Sequence, residues 1–215
     1  MEEKEKIAWQ NINSSKDINK ILTGSIVAIE TEKMLDKIVV CGIVEFKGVR
    51  ILLPAQEISE DAKNDKKLLR NMMGANIRFL IAEIDKVSEK TVASRSRAME
   101  IIQNINFKKY ESGDIINGQI VGIWKKYIRL EVLGVDFVIK AQDLKYGYIE
   151  DVSKHYKINE KIKVLIKEID AENKLLRISV KELVEDPFTD IRKKIVEGGE
   201  YLATITGYTD NRYFC

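Results

Sequence analysis

The chain has 215 residues, 45% apolar and 33% charged, which predicts one or two soluble globular domains with a charged surface. Its 36 basic and 34 acidic side chains leave a net charge of only +2. That balance excludes a uniformly basic nucleic-acid binder, so any basic surface must come from local clustering. No apolar run approaches a membrane span. The start, Met1-Glu2-Glu3-Lys4-Glu5-Lys6, does not read as a signal peptide. Cys41 and Cys215 are too few for a disulfide framework or a zinc site. The expected compartment is the cytoplasm.

Residues 1–20 form a polar segment whose one large side chain, Trp9, either docks on the following domain or offers a stacking surface. A first domain is expected over 21–96. Its β-branched runs predict strands at 23–29, 38–46 and 49–53, with a charged turn at 30–37. Pro54 lacks an N–H and ends the third strand's ladder. Leu68, Leu69, Met72 and Met73 at helical spacing predict a helix over 63–73, stopped by Gly74. Strands follow at 76–85 and 91–94. Met99, Ile101, Ile102 and Ile105 give the 97–111 linker an amphipathic helical pattern.

The second domain, 112–182, repeats this order. Strands are expected at 118–123, 127–132, 135–139, 161–170 and 175–180, with an irregular connection through 148–156. A second linker helix is expected over 183–197, with Pro187 near its start. Residues 198–215 resemble the beginning of the second domain and stop after about one hairpin. They predict an incomplete third repeat, marginal on its own.

The repeat is explicit in two stretches. Gly48-Val49-Arg50-Ile51-Leu52-Leu53-Pro54-Ala55-Gln56-Glu57-Ile58 matches Gly134-Val135-Asp136-Phe137-Val138-Ile139-Lys140-Ala141-Gln142-Asp143-Leu144 position by position, Ala141 lying 86 residues after Ala55. That spacing is a duplicated domain rather than a solenoid unit. The expected fold class is all-β: tandem five-stranded OB-fold barrels joined by short helices.

Gly113-Asp114, Gly118-Gln119-Ile120, Gly134, Ile169-Asp170 and Ile178-Ser179, in that order, resemble the S1 RNA-binding domain. This is the repeated module of the bacterial ribosomal protein of that name. The first copy supplies Gly24, Gly48, Ile84-Asp85 and Ala93-Ser94. The resemblance implies an RNA face carried by two rings, three residues apart, between strands one and two, with a His near the end of strand three. The second copy departs from that pattern, with Lys126 and Arg129 at the ring positions and Lys140 at the His position. The first copy holds Val40, Ile43 and Pro54 there, and the third fragment holds Asn211 and Phe214.

Single-stranded RNA is held by stacking on rings or guanidinium planes and by cations on phosphates. Trp124, Lys125, Lys126, Tyr127 and Arg129 interleave both, and Lys140, Lys145, Tyr146 and Tyr148 follow strand three. Lys126 and Lys140 are the candidates for phosphate contact, Arg129 for phosphate or base. Trp124 and Tyr127 either stack bases or cap the core. Arg50, Arg95, Arg97 and Phe214 are secondary candidates for RNA contact; Ser94-Arg95-Ser96-Arg97 equally reads as the solvated start of the linker helix.

His155 is the lone histidine, and no phosphate loop, metal-ligand spacing or nucleophile elbow occurs. The expectation is therefore a protein with no catalytic residue, cofactor, metal site, small-molecule substrate or membrane partner. It binds single-stranded RNA, in the setting of translation that the resemblance implies. The alternative is a protein-interaction adaptor that docks on the ribosome or another complex through an apolar face of the first domain, a face that the N-terminal segment or the 97–110 helix could equally cover.

Overall fold

The computed structural model describes residues 3–34, 37–58, 65–85, 90–186, 189, 195–205, 207–209 and 212–214. The chain divides into two compact units, Met1–Val184 and Glu185–Cys215.

The first unit opens with α1 (Glu3–Ile18), followed by β1 (Leu22–Met34), β2 (Lys37–Phe46) and β3 (Val49–Pro54). A 3-10 turn, Ala55–Glu57, and α2 (Lys66–Asn71) precede β4 (Asn76–Asp85) and β5 (Lys90–Ser94). These strands form a closed barrel in the order β1-β2-β3-β5-β4. After α3 (Arg95–Asn106) come β6 (Ile115–Ile123), β7 (Tyr127–Val132), β8 (Val135–Lys140), β9 (Lys161–Asp170) and β10 (Leu175–Ser179). They form a five-stranded sheet in the order β10-β9-β6-β7-β8.

The two sheets share their local devices. Lys47-Gly48 and Leu133-Gly134 each place two residues at positive φ (50° and 88°, 52° and 89°), the turn whose twist matches a tight hairpin. Gly134 has a second constraint: a Cβ there would lie 2.5 Å from the Met99 carbonyl oxygen and 2.7 Å from the Gln103 nitrogen on α3. Both first strands carry a bulge, between Ile26 and Ala28 in β1 and between Ile120 and Gly122 in β6.

Three sequence expectations are corrected. The charged turn at 30–37 is largely strand: pairing continues from Glu30↔Cys41 to Met34↔Lys37. Outward Glu30 and Glu32 accept from Arg50, and Glu32 from Lys90. The second sheet is open, because β8 and β10 do not pair. In the first barrel one parallel contact, Leu52↔Val92, makes that closure. At the corresponding place the second sheet has a cavity of about 300 Å³ whose lining includes Ile139, Tyr146 and Ile178. The apolar surface expected at Val40, Ile43 and Pro54 is not free: Val40 is 7% and Ile43 4% exposed, and Pro54 is buried.

The amino-terminal segment is helical and packed. Ala8, Ile12 and Ser15, at helical spacing, are fully buried, and Trp9 lies against the first core. The Ser15 hydroxyl accepts a hydrogen bond from the Ile81 amide at 3.0 Å, satisfying a β4 donor beyond the last β1 pair, Leu22↔Phe79. Of the second linker helix expected at 183–197, residues 187, 188 and 190–194 lie outside the described residues. In the second unit β11 (Gly207–Thr209) and β12 (Arg212–Phe214) form a hairpin.

The sheets of the first unit meet through apolar and polar contacts. The β6 bulge turns Val121 away from its own sheet. It is fully buried in the first core cluster, where Trp124 and Ile158 also pack. Asn159 accepts from the Asn76 amide at 2.7 Å and donates to the Gly74 carbonyl at 2.8 Å. Gln119 donates to the Asn76 carbonyl at 2.8 Å.

The charged contact is deeper. Arg95, 1% exposed, donates to Glu131 at 2.6 Å and to both Asp136 oxygens at 2.8 and 2.9 Å. Arg78 pairs with the other Glu131 oxygen; burial, and then repulsion from Arg95, lower its pKa. Removing one partner of a buried pair strands the other charge, at a cost of about 3–5 kcal/mol. Arg95→Ala is therefore expected to lower stability by about that amount in urea denaturation, whereas Arg97→Ala, at an exposed site two residues on, should change it by less than about 0.5 kcal/mol.

Cys41 is fully buried. Burial, reinforced by Glu32, pushes its thiol up to about 11. At pH 8 it is overwhelmingly the unreactive thiol. In a Cys215→Ser variant, a thiol-disulfide reagent at pH 8 should release no prompt chromophore until the chain is denatured.

Candidate nucleic-acid interface

Strand alternation sets the candidate face. Along β7, Ile128, Leu130 and Val132 point into the second core, which sends Tyr127, Arg129 and Glu131 to the outer face. Their partners on β8 are Lys140, Val138 and Asp136. The outer face of the hairpin thus has three cross-strand rows: Tyr127 with Lys140, Arg129 with Val138, Glu131 with Asp136.

The rows have different fates. Glu131 and Asp136 are sealed by Arg95. In the middle row Arg129 donates to Asp136 at 3.2 Å, and its Nε is buried without a hydrogen-bond partner. Its guanidinium belongs to the intersheet network rather than to solvent. Val138 beside it is 55% exposed. The last row is open, with Lys140 exposed.

Backbone hydrogen bonds fix what lies around that open row. Residues 124–126 turn from β6 into β7, with the Trp124 amide bonded to the Tyr127 carbonyl at 2.9 Å. The Lys126 carbonyl accepts from the Ala141 amide, and the Lys125 carbonyl from the Val152 amide, each at 2.9 Å. Val152 opens a 3-10 turn capped by Asp151, which accepts from the Ser153 amide and hydroxyl. These bonds hold that carboxyl below the ordinary range, the hydroxyl contributing most.

The chain following β8 is thereby stitched to the turn that carries Lys126. Lys126 and Lys140 come together on a cavity of about 370 Å³, with Tyr127, Gln142, Tyr148 and Ile149. The Lys126 ammonium lies 5.4 Å from the centroid of the Tyr148 ring. Neither lysine shares an ion pair among the described residues.

The other candidates fall elsewhere. Lys125 is exposed on the same turn. Trp124 stacks on Tyr127, centroids 4.7 Å apart and planes 19° from parallel, while packing on the first core. It is a docking side chain with one ring face already covered. Arg50 is held by Glu30 at 2.5 Å and Glu32 at 3.0 Å. Hydrogen bonds from Lys90, and then from Arg50, lower the Glu32 pKa. Arg95 as an RNA contact is corrected: it is buried between two carboxylates. Arg97 is exposed in the first turn of α3, its amide bonded to the Ser94 hydroxyl at 3.3 Å. Phe214 falls on β12, and its side chain lies outside the described residues. Tyr148, named from the sequence among the residues that follow strand three, lines this cavity, as does Gln142, which was not singled out.

Comparison with known proteins gives this face a context. Residues 109–181 match the family model of the S1 RNA binding domain. The chain is 29% identical over 174 residues to a 4-hydroxy-3-methylbut-2-enyl diphosphate reductase of Clostridium acetobutylicum, covering 78% of this chain and 27% of that protein. It is 24% identical over 179 residues to the small ribosomal subunit protein bS1 of Staphylococcus saprophyticus, covering 81% of this chain and 44% of that protein. A solved multidomain protein with nucleic acid binding domains from Streptococcus pneumoniae aligns with 76% of this chain and 51% of its own, at 11% identity and a TM-score of 0.37. The chain thus spans about a quarter of the reductase and under half of the ribosomal protein. The match to the S1 RNA binding domain thus falls on the second sheet with its connections, and over most of its length the chain is similar to bacterial ribosomal protein bS1.

Proposed function

We propose that the chain is a non-catalytic, cytoplasmic protein of translation that binds single-stranded RNA through the open end of the β7–β8 face. One observation carries the reading. Of the cations on that face, Arg129 is tied to Asp136, while Lys126 and Lys140 stand exposed on one cavity with no carboxylate partner among the described residues. Two free ammonium groups on a concave rim suit consecutive phosphates of a flexible strand. Double-stranded RNA would instead present a fixed groove geometry. The match to the S1 RNA binding domain supports RNA as the polyanion. The likeness to ribosomal protein bS1 supports translation as the setting. No reductase activity is proposed for these residues, which cover 27% of the reductase relative.

The adaptor reading has less behind it. Its motive was a free apolar face on the first barrel, and the residues of that face are already covered within this chain.

The test is a titration of a fluorescent unstructured RNA at several salt concentrations. For the wild type, affinity should fall log-linearly with salt. Lys126→Ala/Lys140→Ala should bind more weakly, with a slope shallower by about 1.4, since each phosphate contact to a single strand contributes about 0.7. Arg50→Ala should leave both affinity and slope unchanged, because Glu30 and Glu32 already neutralise that guanidinium. An unchanged slope in the double lysine variant removes this site.

A further inference from the structure

The S1 pattern places its rings where this chain has Lys126 and Arg129, so the stacking half of an RNA site must come from another residue or be missing. The rings near the cavity differ in what they have left to offer. Trp124 is packed on the first core, and Tyr127 has Trp124 stacked on it. Tyr146 has the Lys181 ammonium 4.6 Å from its centroid and lines a different cavity. Tyr148 alone among these four is strongly exposed, at 83%.

Its position is nevertheless fixed. Gly147 before it takes a left-handed conformation, φ 86°, and Ile149 after it is 3% exposed, packed in the second core. The backbone is anchored on one side, and the ring is held out over the lysine-bearing cavity. The Lys126 ammonium lies over it at 5.4 Å, within cation–π range.

We propose that Tyr148 is the base-stacking residue of this site. It takes one unpaired nucleobase on the ring face away from the Lys126 ammonium, while Lys126 and Lys140 hold the neighbouring phosphates. The inference rests on the RNA reading above and adds to it where the base sits. A ring brought in by the connection after β8 stands in for the two whose positions are held by Lys126 and Arg129.

The experiment compares wild type, Tyr148→Ala, Tyr148→Phe and Lys126→Ala in the full chain, by fluorescence anisotropy. The probes are a labelled unstructured oligoribonucleotide and the same chain with its bases removed to abasic ribose. Stacking on one ring supports a loss of about tenfold on truncation. Tyr148→Ala should lose about that much on the base-bearing RNA with an unchanged salt slope, because no charge is removed. Tyr148→Phe should bind as the wild type does, and Tyr148→Ala and wild type should bind the abasic chain equally. Lys126→Ala should lower affinity for both probes and make the slope shallower.

If Tyr148→Ala binds the base-bearing RNA as tightly as wild type while Lys126→Ala is weakened, the stacking role is overturned and the RNA site survives. Equal losses by Tyr148→Ala on the two probes overturn it also. If the wild type binds neither probe, the RNA reading itself falls, and the stacking role with it.

Discussion

The first unit depends on the guanidinium of Arg95 lying between Glu131 and Asp136. Those two carboxylates face each other across neighbouring strands, an arrangement that repels unless a cation intervenes. The equivalent pair in the first barrel is Glu45 and Arg50, which are opposite in sign. Arg at 50 against Asp at 136 therefore leaves the first barrel's pair without like-charge repulsion and the second sheet's pair in need of a cation. Arg95 and Arg78, both from the first half of the chain, supply the charge. The neighbouring features conform to that contact: α3 begins with Arg95, Gly134 lets the β7–β8 turn approach α3, and the β6 bulge sends Val121 into the first core.

The same network decides which cations are left for a ligand. Arg129 projects from the same outer face as Tyr127, yet Asp136 draws it inward. Had Asp136 been arginine, as at position 50, Arg129 would have faced a like charge and solvent. What remains is a graded face. One end of the hairpin is dry, charged and paired; the middle offers Val138; the other end carries unpaired ammonium groups and an exposed ring. The intersheet contact and the proposed RNA site thus lie at opposite ends of one pair of strands.

Much of this architecture was legible in the sequence. The 86-residue offset, the two hairpin glycines and the strands of the second sheet follow from period-two patterning and turn chemistry, which are local. The 30–37 turn was misread because charged residues suggest a loop, whereas Glu30 and Glu32 are the outer face of a strand supplied with Arg50 and Lys90. Closure of the second sheet could not be read, since it turns on one pairing between strands distant in sequence. The fate of each cation was the least legible feature. Arg95 and Arg97 sit in the same tetrad, Ser94-Arg95-Ser96-Arg97. One is wholly buried and the other exposed, and the partners that decide this lie 36 and 41 residues away. A run of basic residues with interleaved rings therefore marked a neighbourhood without saying which of its members are paired.

That point bears on how a chain with 36 cations and 34 acids could present a local surface to a polyanion. Net charge sets only the far field, and at physiological salt that field is screened within about 8 Å. What a phosphate meets at contact is the local balance. Pairing here removes cations selectively, Arg50 by Glu30 and Glu32, Arg95 by Glu131 and Asp136, Arg129 by Asp136. Each pairing leaves the unpaired lysines at the far end of the β7–β8 face more distinct from their surroundings. Acidic residues placed against the wrong cations sharpen a site as effectively as basic residues added to the right place. They do so without the non-specific attraction for nucleic acid that a high net positive charge would bring.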